Sequence, residues 1–272
     1  MRVVPVRIEK LIYTFRPADL GPELDAYRRV LQILDNQTPT RHFRDGLPVS
    51  ADWLDAVGLA EIEEYIRAHR ERAAIDYGAL LNFLCFDQAY FFRNFFKCLV
   101  GVRCLAAAIN LSGSERHIID IGCGAGTFAL AAYLLWNRWD EYILVDKELA
   151  QLCYAKKLFE AVEVKNVKFL HADGLSLISR RGFRIASYWL CGNKNALINA
   201  TDEMLHGLLR DGCGIIDYAE NVDAFMSRVQ AIVGPNRIRR IEANTFPPDE
   251  IAKAIRSARV NVHLLAIDPI QD

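Results

Sequence analysis

A chain of 272 residues, 52% hydrophobic and 25% charged, can form one large or two small domains with cores of their own, which excludes a disordered tail, a disulfide miniprotein and a collagen-like rod. Thirty-three Lys and Arg against thirty-four Asp and Glu leave a formal charge of −1, evenly balanced on both sides of residue 113, so bulk electrostatics draws the protein neither to nucleic acid nor to an anionic membrane. Neither partner is expected, and no oligomeric state follows.

The first ten residues start basic, but Arg7, Glu9 and Lys10 interrupt the apolar positions before a signal-peptide core forms. The longest apolar stretch, Cys98 to Leu111, is broken by Arg103 and is too short to span a bilayer. Seven cysteines (Cys85, Cys98, Cys104, Cys123, Cys153, Cys191, Cys213) contain no C-x-x-C pair and no metal-ligand spacing with histidine, so they read as small buried hydrophobes in a reducing compartment. A soluble, cytoplasmic protein is expected.

Residues 22–34 and 50–66, the second with Ser50 as N-cap, carry apolar side chains three and four apart and predict helices. From Tyr77 to Ile109 the same steps alternate without a slip through Leu81, Leu84, Gln88, Phe91, Phe95, Cys98, Val102 and Leu105, predicting one long helix or two bent near Gly101. Such a stripe is first of all a packing seam. Gln88, its one strongly polar member, either bonds a buried neighbour or faces a cavity, and Tyr90 and six phenylalanines spread aromatic surface over more than one face.

After the polar linker Leu111–Glu115, short β-branched runs at 118–121, 142–145, 167–170, 185–190, 214–217 and 262–267 alternate with helix-length segments. This alternation predicts a parallel α/β sheet with helices on both faces.

The first run leads into Asp120-Ile-Gly-Cys-Gly-Ala-Gly126 and then an apolar helix from Thr127. Glycines at 122, 124 and 126 allow a sharp turn that brings backbone N–H groups against a ligand beside a helix N-terminus. Asp146 ends the second strand, where a carboxylate accepts hydrogen bonds from ribose hydroxyls or else caps the next helix. Asp173, after the third strand, faces an adenine amino group or makes an Asp-Gly turn. A dinucleotide fingerprint would need Gly at 127, where this chain has Thr127, and Asp120 suits an ammonium group better than a pyrophosphate.

The segment His117-Ile-Ile-Asp-Ile-Gly-Cys-Gly-Ala-Gly-Thr127, with Leu144-Val-Asp146 and Ala172-Asp173-Gly174, resembles the class I S-adenosylmethionine-dependent methyltransferases. The resemblance covers residues 117 to about 220 and implies a Rossmann-like seven-stranded α/β sheet, expected over residues 114–272, with an antiparallel last strand near Val262 to Ile267; residues 1–113 lie outside it and are read from their own periodicity as an N-terminal helical domain expected to cap the site. It implies S-adenosylmethionine as cofactor, held by Asp120, Gly122, Gly124, Gly126, Asp146, Lys147, Ala172, Asp173 and Leu190.

In that family the reacting centre lies at the end of the fourth strand. Here Cys-Gly-Asn-Lys stands where nucleic-acid amino methyltransferases have Asn/Asp-Pro-Pro-aromatic. With the neutral charge, this points to a small-molecule acceptor. Asn193 is expected to orient it, Lys194 to hold a carboxylate, and Gln88 and Tyr90 to close over it. A general base, needed only if the acceptor loses a proton, is sought among His171, Tyr90, Tyr188, Asp217 and Tyr218, while Cys191 has no evident partner base. The alternatives are aminocarboxypropyl transfer or cyclisation of the nicotianamine-synthase kind, releasing methylthioadenosine, and a non-catalytic cofactor-binding subunit.

Overall fold

The computed structural model describes residues 8–37, 77–111, 116–177, 179–192, 200–255 and 257–270. In chain order these form β1 (Glu9–Phe15), α1 (Gly21–Gln37), α2 (Tyr77–Ala108), β2 (His117–Ile121), α3 (Thr127–Leu135), β3 (Glu141–Asp146), α4 (Leu149–Ala161) and β4 (Val167–His171). There follow β5 (Phe183–Ser187), the short α5 (Trp189–Gly192), α6 (Asp202–Leu209), β6 (Cys213–Asp217), α7 (Ala219–Val233), β7 (Ile238–Thr245), α8 (Asp249–Ile255) and β8 (Val260–Ile267). The expected helix at 50–66 lies outside the described residues.

Among the described residues the strands form one sheet in the order β1-β7-β8-β6-β5-β2-β3-β4. Every pair is parallel except those of β8, which runs antiparallel between β6 and β7, where the sequence places the last strand. The α/β Rossmann-like architecture is therefore as expected. The inner strands β2, β3, β5 and β6 read as continuous apolar runs because helices cover both their faces. One core gathers side chains from α1, α2, α3, α4 and α8, the other from α6 and α7.

The sheet has eight strands among the described residues, not seven. The additional strand, β1, pairs parallel with β7 from Glu9 opposite Arg239 to Phe15 opposite Thr245. It lies in the part expected to be helical, and its signal is an alternation: Leu11, Tyr13 and Phe15 pack on the core while Lys10, Ile12 and Thr14 face outward. β7 is the second strand absent from the sequence expectations. Its IRRIEANT sequence carries few apolar residues because ion pairs satisfy the rest: Arg239 with Glu9 and Asp268, and the buried Arg240 with Asp223 and Glu242.

One open alternative is decided and one further expectation changes. Helix α2 is a single helix through Gly101, and the glycine there serves contact with the sheet, since a Cβ would lie 2.3 Å from Ile216 Cδ1. Opposite it, a Cβ on Gly214 of β6 would lie 2.4 Å from Leu105 Cδ2 of α2, so helix and strand each give up a side chain to approach. The run at 185–190 ends as a strand at Ser187, because Tyr188 turns into the left-handed region (φ 56°) and Trp189 begins α5.

Candidate functional site

The turn after β2 sits at the carboxyl ends of the parallel strands, beside the first turn of α3. Gly122, Gly124 and Gly126 all have positive φ (59°, 52° and 73°), and a Cβ on Gly122 would lie 2.4 Å from the Trp189 indole, so backbone alone fits this turn. Asp146 pins the turn: its Oδ2 accepts the Gly124 N–H and its Oδ1 the Glu148 N–H, both at 2.8 Å. The second bond closes a turn just before α4, whose N-cap is Glu148, so Asp146 does not itself cap that helix. Each carboxylate oxygen accepts more than one hydrogen bond, which leaves capacity for a ribose hydroxyl.

Beneath the turn, Asp120 is 1% exposed. Its Oδ2 accepts the Ala129 N–H at 3.0 Å, tying β2 to α3, while Oδ1 has no hydrogen-bond partner among the described residues. Burial, reinforced by the nearby Asp146 carboxylate and opposed by the Ala129 bond, pushes its pKa up to about 8. A buried carboxylate with one unsatisfied oxygen, a glycine turn that excludes side chains and an acid at the end of β3 fit a ligand that carries positive charge and a ribose.

A cavity of about 610 Å³ opens over this floor, within the range of small-molecule sites. Gly122, Cys123, Gly124 and Thr127 line its base; Asp146, Lys147, Glu148 and Gln151 line one side, with Asp173 and Gly174 beyond. The other side is aromatic and basic: Phe91, Arg93, Asn94 and Lys97 from α2 meet Tyr188, Trp189, Cys191 and Tyr218. The Lys97 ammonium donates to Tyr188 Oη at 2.5 Å and lies 4.9 Å from that ring's centre. Tyr188 and Tyr218 meet edge to face at 5.4 Å. Burial, with Arg93 one turn away, pushes Lys97 down to about 8. Burial also raises the Tyr188 phenol far above its ordinary value.

The structure thus brings Gly122, Gly124, Asp146, Lys147, Asp173, Tyr188, Cys191 and Tyr218 to one cavity. Asp120 lies below its floor and Gly126 caps α3. The remaining expected positions lie off the wall. Ala172 donates its N–H to the Asp146 carbonyl, Leu190 is buried in the second core, and His171 pairs with the Lys147 carbonyl at 3.0 Å. Asp217 accepts from the Cys191 and Tyr218 N–H groups and from Asn221, which makes it the anchor of two loops. The side chains of Gln88 and Tyr90, and all of Asn193 and Lys194, lie outside the described residues.

Lys97, Arg93 and Trp189 are site residues that the sequence reading missed. The available signal was two cations four apart in an otherwise aromatic helix segment.

Residues 112–221 match a family model described as a methyltransferase domain. No curated protein matches the chain. Among solved structures it is similar to the METTL16 MTase domain, at 18% identity over 64% of this chain and 66% of that one, just under two thirds of its length, with a TM-score of 0.43. An rRNA methylase from Streptococcus thermophilus follows at 13% identity, 62% and 94% coverage and 0.40. Precorrin-6y C5,15-methyltransferase from Geobacter metallireducens GS-15 has 10% identity, 63% and 87% coverage and 0.45.

The expectation that no nucleic acid is a partner is corrected here, since an rRNA methylase stands among the similar structures. The physical reason is one of averaging. A net charge of −1 hides a local pair such as Arg93 and Lys97 on a cavity wall. Among the described residues no helix is long and apolar enough to cross a membrane, and no cluster of metal-ligating side chains occurs.

Proposed function

We propose that this chain, whose residues 112–221 match a methyltransferase-domain model, is a class I S-adenosylmethionine-dependent methyltransferase that transfers a methyl group from S-adenosylmethionine to an acceptor seated against α2. The observation that carries the reading is the glycine turn over the half-satisfied Asp120, with Asp146 beside it. When bound, the cofactor supplies a methyl group on a sulfonium, a leaving group that needs no further activation. The backbone of Gly122 and Gly124 and the Asp146 carboxylate would hold it, with Asp173 at the adenine end, while Phe91, Tyr188 and Trp189 keep water from the reacting centre.

Residues 1–113 act in this reading as a cap, which the Phe91, Arg93, Asn94 and Lys97 wall supports. We take the acceptor to be a small molecule with a flat ring and a negative group, since Tyr188 and Tyr218 offer ring faces beside Arg93 and Lys97. A nucleobase on a phosphate chain presents the same chemistry and forms the second reading. The buried Cys98, Cys104 and Cys213, which are in no disulfide among the described residues, support a reducing, cytoplasmic setting.

The test is to incubate the protein with methyl-labelled S-adenosylmethionine, a small-metabolite extract and total RNA, and to identify both the nucleoside product and the labelled fraction by mass spectrometry. S-adenosylhomocysteine with label in the small-molecule fraction is expected, and label in RNA selects the second reading. Methylthioadenosine would replace methyl transfer by aminocarboxypropyl transfer. Tight cofactor binding without turnover would leave a binding subunit.

A further inference from the structure

We infer that Lys97, acting through the Tyr188 hydroxyl, is the base that takes the proton lost by the methyl acceptor, so that the acceptor presents an O–H or N–H group; this rests on the methyl-transfer reading. The two side chains come from segments far apart in sequence and meet on one side of the cavity whose base is formed by Gly122 and Gly124. Lys97 Nζ lies 2.5 Å from Tyr188 Oη, and its described partners are that hydroxyl and that ring, with no carboxylate in ion-pair contact. An amine held by a phenol gives up its proton far more readily than one clamped by a carboxylate.

Tyr188 is not free to wander. Its backbone is fixed in the left-handed region at φ 56°, and its N–H donates to the Ile216 carbonyl at 2.8 Å. A non-glycine residue in that conformation is a local strain, which a fold retains where a side chain's position matters.

The charged and titratable groups around the amine come from α2, β6 and β8 and from the connections after β5 and β6. Arg93 on α2 disfavours the ammonium, as does burial; Cys98 on α2 and Asp217 at the end of β6 favour it, and His263 on β8 stands opposite Asp217. Tyr188 and Tyr218 complete the surroundings. The sum leaves Lys97 at about 8, where about a tenth is neutral amine at pH 7, against well under a hundredth for an ordinary lysine. The phenol, driven the other way, stays protonated and serves as a relay.

In the step, the nucleophile's oxygen or nitrogen bonds to the methyl carbon while the carbon–sulfur bond breaks and its electron pair stays on sulfur. The nucleophile's proton passes to Tyr188 Oη, and the Tyr188 proton passes to the neutral Lys97 amine. The positive charge lost at sulfur reappears on the ammonium, so charge and atoms balance.

Two measurements test this. Without turnover, lysine ε-carbon NMR on the full chain, with Lys97→Arg for assignment, should show one amine titrating near 8 and shifting in Tyr188→Phe, against about 10.4 for ordinary lysines. With turnover, on the acceptor found by the product assay, kcat of the wild type should rise with pH and level off above about 8. Lys97→Met should lower kcat about 10²- to 10⁴-fold and lose that limb, with Lys97→Gln as a second variant should the first fail to fold. If Lys97 titrates like a surface lysine, or the variants keep both rate and limb, the inference falls. It also falls if the variants lose cofactor binding yet keep kcat at saturation, which would assign Lys97 to the cofactor's carboxylate. A wild type that yields no S-adenosylhomocysteine brings down the methyl-transfer reading itself, and this inference with it.

Discussion

A carboxylate removed from water needs a partner for each oxygen, and Asp120 has one for Oδ2 but none for Oδ1 among the described residues. Its folded-state pKa of about 8 stands well above the ordinary value of about 3.9. Between these values the folded chain holds a proton that the unfolded chain has lost, so stability is fully present below about pH 4 as far as this group is concerned. It falls as pH rises toward 8, by up to about 1.4 kcal/mol per pH unit, and levels off above that. Asp120→Asn should flatten this slope and raise Tm at pH 8 in thermal melts of the cofactor-free protein, while weakening S-adenosylmethionine binding. An unchanged slope would show that Asp120 is ionised in the folded state.

Helix α2 and strand β6 touch through a pair of missing side chains. The cost of refilling each gap depends on which atom stands in the way. Alanine at Gly214 would meet Leu105 at its branching Cγ (3.2 Å) as well as at both methyl groups, whereas alanine at Gly101 would meet mainly the Ile216 Cδ1 terminus. Both Leu105 and Ile216 are fully buried and have little room to yield. Gly214→Ala should therefore cost about 2–3 kcal/mol in denaturant titration and Gly101→Ala less, helped by alanine's helix propensity. Combining Gly101→Ala with Ile216→Val should recover part of the loss. The reverse order would mean that the helix, not the strand, is held in place here.

At this scale the sequence was legible where burial is nearly complete on both faces: β2, β3, β5 and β6 are mostly apolar, and the glycine turn follows from residue types alone. It was not legible where polar residues are satisfied across space. Arg239 and Arg240 of β7 are paired with Glu9, Asp268 and Asp223, partners on other elements that no local pattern reveals. Lys97 was hidden for the same reason, since its meaning comes from Tyr188, brought beside it only by the packing of α2 over β5 and β6.

Across the whole molecule, the cavity lies between the carboxyl ends of the parallel strands and α2, so a ligand there touches both the sheet and that helix at once. Binding to the folded state alone should stabilise all of it together, by about 2.7 kcal/mol at a hundredfold excess over Kd. A single cooperative transition shifted upward by S-adenosylmethionine in a thermal melt is the expected result, with Asp146→Ala losing most of the shift. A shift that NAD reproduces and S-adenosylmethionine does not would reassign the pocket.

The pairing of β1 with β7 sets Glu9 beside Arg239 and Phe15 beside Thr245. The first of these strands therefore waits for one made much later in synthesis. Until then its row of N–H and C=O groups and its Leu11, Tyr13 and Phe15 side chains have no place to dock. Contacts of such long sequence separation close slowly, and an unpaired strand invites the wrong neighbour in the interval. This edge of the sheet thus closes only after the whole intervening chain has been made.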